Sequence, residues 1–182
     1  MLDSVSSKNN EKKTRIDLED EYFANRYFSL TVAWRDDLIH HISLGPGQVG
    51  HVSSKSRPYS RIINQAMVLY EKKTVFSWPD PPLDWSIITS TFHKKVLTTL
   101  VEQVGFGQTI SYGKLAALSG SPRAARAVGR AMATNPWPLI IPCHRVLTAR
   151  KTIGGFSSGT EIKTALLGLE GWFFSESVAK RL

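Results

Sequence analysis

Ser111-Tyr112-Gly113-Lys114-Leu115-Ala116-Ala117-Leu118, then Gly120-Ser121-Pro122, then Ala124-Ala125-Arg126-Ala127-Val128-Gly129-Arg130-Ala131-Met132, is the stretch that decides how the second half of this chain folds. The Ser111 hydroxyl can cap a helix over Tyr112–Leu118, and Gly120 breaks it. Ser121-Pro122 predicts the start of a second helix with Pro at its first position, where the missing N–H costs nothing. That helix should end near Asn135-Pro136. Two short helices joined by a Gly-containing turn predict a helix-turn-helix. At about 100° per residue, Ala124, Ala125, Val128, Ala131 and Met132 fall on one side of the second helix, and Arg123, Arg126 and Arg130 line up opposite. Small residues let a backbone approach a groove closely. Arg supplies a phosphate contact or a planar group able to occupy a base's place. The plainer alternative is that Ala is a good helix former and Arg an ordinary surface residue.

Upstream, Thr91 can cap a helix whose apolar stripe is Phe92, Val96, Leu97, Leu100 and Val104, with Gly105 and Gly107 ending it. Trp78-Pro79-Asp80-Pro81-Pro82 is the candidate linker. Before it, Tyr27–Trp34 and Leu38–Leu44 alternate around a polar Arg35-Asp36-Asp37 turn, which predicts a hairpin or meander. Arg61–Lys72 places Ile62, Ile63, Ala66, Met67 and Tyr70 at helical spacing, so a helix should pack on that sheet. The organisation expected is a flexible tail at 1–20, an α/β domain at 21–85 with a small antiparallel sheet plus helix, a mainly α domain at 86–176 carrying the helix-turn-helix and the active site, and a tail at 177–182.

Downstream lies the chemical centre. In Pro136-Trp137-Pro138-Leu139-Ile140-Ile141-Pro142-Cys143-His144-Arg145-Val146, prolines punctuate an apolar β-type run, so the cysteine should sit at the exit of a buried, extended segment. His144 and Arg145 provide positive surroundings that would favour thiolate, the nucleophilic form. An isolated Cys-His pair of this kind is more readily a buried, inert cysteine.

Charge narrows the partner. The 182 residues hold 23 Lys+Arg and 15 Asp+Glu, a formal charge of +8, with 42% hydrophobic residues. Disorder and low complexity are excluded as the main class. Between Gln103 and Thr160 there are seven basic residues (Lys114, Arg123, Arg126, Arg130, Arg145, Arg150, Lys151) and no acidic one. An anion-free basic stretch suits a polyanion such as nucleic acid; a solvated basic face or an anionic-metabolite site are the alternatives. A lone Cys makes no intramolecular disulfide, and neither a secretory signal nor a membrane-spanning stretch is visible. A soluble protein of a reducing compartment is expected.

Pro142-Cys143-His144-Arg145-Val146, preceded by Asn135-Pro136 and Ile140-Ile141, resembles the active-site signature of the O6-alkylguanine-DNA alkyltransferases, the methylated-DNA–protein-cysteine methyltransferase family. The resemblance extends through Gly107, Ile110-Ser111-Tyr112, Ser121-Pro122, Ala125-Arg126-Ala127-Val128-Gly129, Gly154-Gly155-Phe156-Ser157-Ser158-Gly159 and Glu170-Gly171, covering Phe92 to Gly171. It implies irreversible, stoichiometric transfer of an alkyl group from O6-alkylguanine in double-stranded DNA to Cys143, with O4-alkylthymine a further candidate substrate. His144 would take the thiol proton through a water, Glu170 would orient the imidazole, Tyr112 would donate to guanine N3, and Asn135 would brace the turn before Cys143.

The resemblance also implies a flipped base. Arg126 would fill the gap it leaves, with Arg123, Arg130, Ala125, Ala127 and Gly129 against the DNA. Met132, Val146, Phe156 and Ser157 would line the pocket. The backbone carbonyls of Cys143 and Val146 would accept from the guanine amino group, and Ser157 would donate to O6. Phe156 stands where many members have Tyr, and Arg130 where several are small. No second Cys is available for the zinc site of some relatives, so His40, His41, His51 and His93 read as surface or packing residues. The expected protein needs no metal or cofactor, is a monomer, touches no membrane, and works inside the cell, in the nucleus of a eukaryote or the cytoplasm of a prokaryote. The competing classes are a damage-binding alkyltransferase-like protein that transfers nothing, a helix-turn-helix regulator, and a thiol hydrolase.

Overall fold

The computed structural model describes residues 17–48, 57–175 and 178–181. Strands β1 (Glu19–Ala24), β2 (Phe28–Arg35) and β3 (Leu38–Pro46) pair antiparallel in the order β1-β2-β3. Phe28, Leu30, Val32 and Trp34 alternate along β2 and are all buried, which is the period-2 pattern of a sheet covered on one face. Asp36, at φ +55°, turns the chain between β2 and β3. Strand β1 starts inside the stretch expected as a tail. Its inward positions are Glu21 and Phe23, and a buried glutamate, bonded by the Ser60 hydroxyl, disguises the alternation. Residues 1–16, the rest of that expected tail, lie outside the described residues.

Helix α1 (Pro58–Glu71) begins three residues earlier than the periodicity suggested, with a proline in its first turn, and buries Tyr59, Ile63, Ala66, Met67 and Tyr70. The proline cluster does not behave as a free linker. Ile39 N–H donates to the Pro82 carbonyl and Asp84 N–H to the Ile39 carbonyl, so the segment is stitched to β3. Prolines lack donors, but their carbonyls still accept from a sheet edge. A 3-10 turn at Trp85–Ile87 follows, and then α2 (Thr91–Gln103). Ser90, rather than Thr91, caps α2, accepting from His93 N–H.

Strand β4 (Ile110–Ser111) leads directly into α3 (Tyr112–Leu118), capped by the Ser111 hydroxyl. Helix α4 spans Ala125–Ala133. It starts later than expected because Ser121–Ala124 closes a turn, Ala124 N–H donating to the Ser121 carbonyl. Pro122 therefore occupies the second position of that turn, where its fixed φ also fits. Helix α4 packs against both α2 and α3.

The 136–142 segment is not extended: Pro138 and Ile141 bridge around Leu139, which has φ +75°. A 3-10 turn at Cys143–Arg145 feeds β5 (Val146–Leu147), which pairs parallel with β4. Helix α5 (Thr160–Leu169) is followed by the antiparallel pair β6 (Trp172–Ser175) and β7 (Val178–Arg181). The end of the chain, expected as a tail from 177, thus contains a strand whose Ala179 is buried with Leu147 and Leu167. One buried apolar cluster runs from Phe23 in the sheet to Leu169 in α5, drawing on both halves of the chain. Among the described residues, no helix is long and apolar enough to cross a membrane.

Candidate active site

Asn135 holds the turn that presents the cysteine. Its Nδ2 donates to the Ile141 carbonyl at 2.9 Å, and its Oδ1 accepts from Trp137 N–H at 3.1 Å. The sheet clamps the same turn from the other side: Trp137 Nε1 donates to the Ile39 carbonyl at 2.8 Å, and Ile42 N–H to the Pro136 carbonyl at 2.7 Å. Cys143 then sits at the start of its 3-10 turn with 3% exposure. In such a turn successive side chains diverge by about 120°, which keeps the His144 ring off the sulfur.

His144 and Glu170 are fully inside, with Nε2 3.0 Å from Oε1. Glu170 terminates α5, and its two oxygens are saturated. Oε1 also accepts from Arg145 Nη2 at 2.8 Å, Arg145 Nε at 3.1 Å and the Tyr70 hydroxyl at 3.3 Å. Oε2 accepts from Gly107 N–H at 3.1 Å and Arg145 Nε at 3.0 Å. Burial alone would raise the Glu170 carboxyl, but His144 and Arg145 overturn that and hold it at about 2. A carboxylate ionised at every working pH fixes the tautomer: Nε2 carries the imidazole proton and Nδ1 is the basic atom. Nδ1 has no partner among the described residues. Burial lowers the His144 pKa, Glu170 opposes this, and Arg145 and Lys163 lower it further. The imidazole is therefore neutral and ready to accept a proton.

The thiol departs from the sequence reading. Burial pushes Cys143 up, and the opposing Asn135 amide and Lys163 ammonium do not offset it. The resting group is a thiol, because a desolvated thiolate costs more than its positive neighbours return. Arg145, counted among those neighbours and in the basic stretch, is buried and neutralised by Glu170. Six of the seven cations remain outside that pair.

Tyr112, Gly129, Met132, Cys143, Phe156 and Ser157 come together, with Ala133 and Gly155, around a cavity of about 440 Å³. Burial and then Cys143 raise the Tyr112 phenol, so it stays a donor. Val146 is buried and does not line this cavity; its carbonyl accepts from Lys163 Nζ at 2.8 Å, and the Cys143 carbonyl accepts from Val146 N–H. Each carbonyl keeps a second lone pair. A larger cavity of about 650 Å³, walled by Trp78, Trp85 and Phe106, lies against the Leu139–Pro142 turn but does not include Cys143. Its lining has no cysteine, and of the two cavities the smaller one holds the thiol.

Arg123, Arg126 and Arg130 are exposed on α4 and its lead-in, while Val128, Ala131 and Met132 are buried. Gly129 thus joins the exposed arginines to the cavity wall. His40 faces Asp84 at 2.9 Å and His93 bonds the Ala131 carbonyl at 3.1 Å, while His41 is exposed. His51 lies outside the described residues.

Two site residues escaped the sequence reading. Lys163 is fully buried, and burial lowers its ammonium to about 8 despite Cys143. It shares an inward stripe with Leu166, Leu167 and Glu170 at helical spacing, a signal the charge concealed. Tyr70 looked like one more apolar position of α1, and only its hydroxyl reaches Glu170 and Arg145.

Residues 91–172 match the family described as 6-O-methylguanine DNA methyltransferase, DNA binding domain. The chain is 43% identical over 103 residues to a Homo sapiens methylated-DNA–protein-cysteine methyltransferase, covering 56% of this chain and 50% of that protein. It is 48% identical over 89 residues to a protein of the same name from Methanocaldococcus vulcanius, covering 48% and 52%. The matching region thus spans about half the length of these curated relatives. Among solved structures, it is similar to Mycobacterium tuberculosis OGT in complex with DNA, with a TM-score of 0.66 and 27% identity over 83% of this chain and 92% of that one. A variant of the M. tuberculosis O6-methylguanine methyltransferase gives a TM-score of 0.65 and 30% identity over 84% and 93%.

Proposed function

The chain belongs to the methylated-DNA–protein-cysteine methyltransferase family, and from that premise we propose that it repairs DNA by moving an alkyl group from O6 of guanine in duplex DNA onto Cys143. The observation that carries the reading is a buried thiol lining a cavity with room for a base, followed in the chain by an imidazole whose Nδ1 is unpartnered among the described residues and whose Nε2 is held by Glu170. Sγ attacks the alkyl carbon in line with the C–O6 bond. The S–C bond forms, and the C–O6 electron pair leaves with guanine. The thiol proton passes through a water to His144 Nδ1, and Tyr112, donating at N3, offsets the charge that develops on the leaving base. Lys163 steadies the sulfur as it becomes anionic. A thioether has no hydrolytic exit, so each molecule reacts once.

In the same reading α3 and α4 act as a helix-turn-helix that lies in the minor groove. Arg126 replaces the flipped base, and Arg123, Arg130, Ala125, Ala127 and Gly129 border the DNA. Met132, Phe156 and Ser157 enclose the base, the Cys143 and Val146 carbonyls take its amino group on their second lone pairs, and Ser157 donates to O6. Residues 86–176 hold the DNA and the acceptor, and residues 21–85 brace the acceptor turn from behind. The protein works as a monomer where the genome is kept, the nucleus of a eukaryote or the cytoplasm of a prokaryote. O4-alkylthymine is the natural second substrate to try.

Intact-mass analysis after incubation with a duplex containing O6-methylguanine tests this. Wild type should gain a single methyl up to a stoichiometric ceiling, and Cys143→Ala should gain none. Continued turnover, or an unmodified wild-type chain, refutes it.

A further inference from the structure

Tyr70 lies on α1, in the first half of the chain, 100 residues from Glu170, and it is fully buried. Its ring meets Phe28 edge-on at 5.9 Å and Phe106 at 5.6 Å, which fixes where the hydroxyl points. That hydroxyl accepts from Arg145 Nη2 at 3.2 Å and donates to Glu170 Oε1 at 3.3 Å. Oε1 is the same oxygen that faces His144 Nε2. We propose that Tyr70 is a positioning residue of the alkyl-transfer reaction, with its hydroxyl tempering the pull of Glu170 on the His144 imidazole; this rests on the function proposed above.

Each hydrogen bond that Oε1 receives from elsewhere leaves less negative charge for the imidazole. Arg145 supplies two such bonds and Tyr70 one. From α5, the Lys163 ammonium adds its charge; from the turn after Pro142 comes Arg145; on the Gly107 side, among the described residues, only a backbone N–H reaches the carboxylate, since Arg181 is occupied with the Gly107 carbonyl. Too strong a pull by Glu170 would hold His144 as imidazolium, which cannot take the thiol proton. Tyr70 thereby joins the first-half helix to the proton relay rather than to the fold alone.

Tyr70→Phe keeps the ring and its packing and removes only the hydroxyl. With its restraint gone, Glu170 should favour imidazolium. The acid limb of the alkyl-transfer rate, measured on free O6-benzylguanine, should then move up by about half a pH unit, which is roughly threefold slower on that limb, with the alkaline plateau unchanged. The ¹⁵N shifts of the His144 imidazole, followed across the same pH range, should move in the same direction whether or not alkyl transfer occurs. They therefore separate failure of this inference from failure of the proposed function. An unmoved acid limb with unmoved imidazole titration overturns the inference. So does an equal loss of rate at every pH together with a lower melting temperature, the outcome of a purely structural role.

Discussion

Replacing Glu170 by Gln keeps the shape of the side chain and removes its charge. With the amide oxygen at the Oε1 position, the amide NH₂ faces two donors, Gly107 N–H and Arg145 Nε, and the buried guanidinium loses its counter-charge. Breaking one side of a buried pair costs about 3–5 kcal/mol. A second route gives a similar figure. The Glu170 carboxyl falls from an ordinary 4.5 to about 2 on folding, and at about 1.4 kcal/mol per tenfold change in proton affinity this is about 3 kcal/mol of stability. Because the folded value lies below the unfolded one, the contribution is complete above 4.5 and disappears as pH falls through 2. Urea unfolding of both proteins should therefore separate them by about 3 kcal/mol at pH 7, with the gap narrowing by about 1 kcal/mol near pH 3.5. A gap under about 1 kcal/mol at neutral pH, or one that does not change with pH, would refute the assignment of Glu170 as the ionised hub of the site.

Lys163→Met should slow alkylation by about tenfold and raise the pH at which Cys143 reacts with iodoacetamide. Because burial lowers Lys163 from 10.5 to about 8, wild type should also gain stability relative to this variant as pH rises from 8 toward 10.5, which urea midpoints would register. Asn135→Ala orphans the Trp137 N–H and leaves the Ile141 carbonyl with Cys143 N–H alone, so it should cost about 1–3 kcal/mol in denaturation and slow transfer by loosening the Cys143 turn. Arg126→Ala should slow repair of alkylated duplex at least tenfold more than reaction with free O6-benzylguanine, because an exposed helix arginine matters only when a base must be kept out of the stack; equal losses on both substrates contradict that role.

What the sequence disclosed, and what it hid, follows from the physics of each residue. Alternation announced β2 and β3 because only one face of that sheet is buried, and the Ser111 hydroxyl marked the start of α3 because its bond to Lys114 N–H is local. β1 was concealed by Glu21, a charge that faces inward only because Ser60, far away in sequence, meets it. Prolines in 136–142 suggested an extended run, but the turn at Leu139 depends on Asn135 and on the β3 carbonyl that receives Trp137, and neither contact has a sequence period. Cys143, Tyr112, Met132, Phe156 and Ser157, which share the cavity, and the His144–Glu170 pair were named through the motif, whereas Val146, named for the pocket, does not line it. Lys163 and Tyr70 entered the site only through long-range packing, Arg145 was visible but its pairing with Glu170 was not, and the state of the thiol needed its burial, which reverses what its charged neighbours imply on their own.

On the function proposed above, Cys143 is a reagent used once, which any stray collision would waste. Exposed thiolates are the forms that peroxides and small electrophiles consume first. Cys143 offers them neither the access nor the charge, being 3% exposed and held as a thiol by its own desolvation. Near neutral pH the group is thus chemically quiet toward oxidants and small electrophiles. The depth of the cysteine sets its shelf life as much as its reactivity.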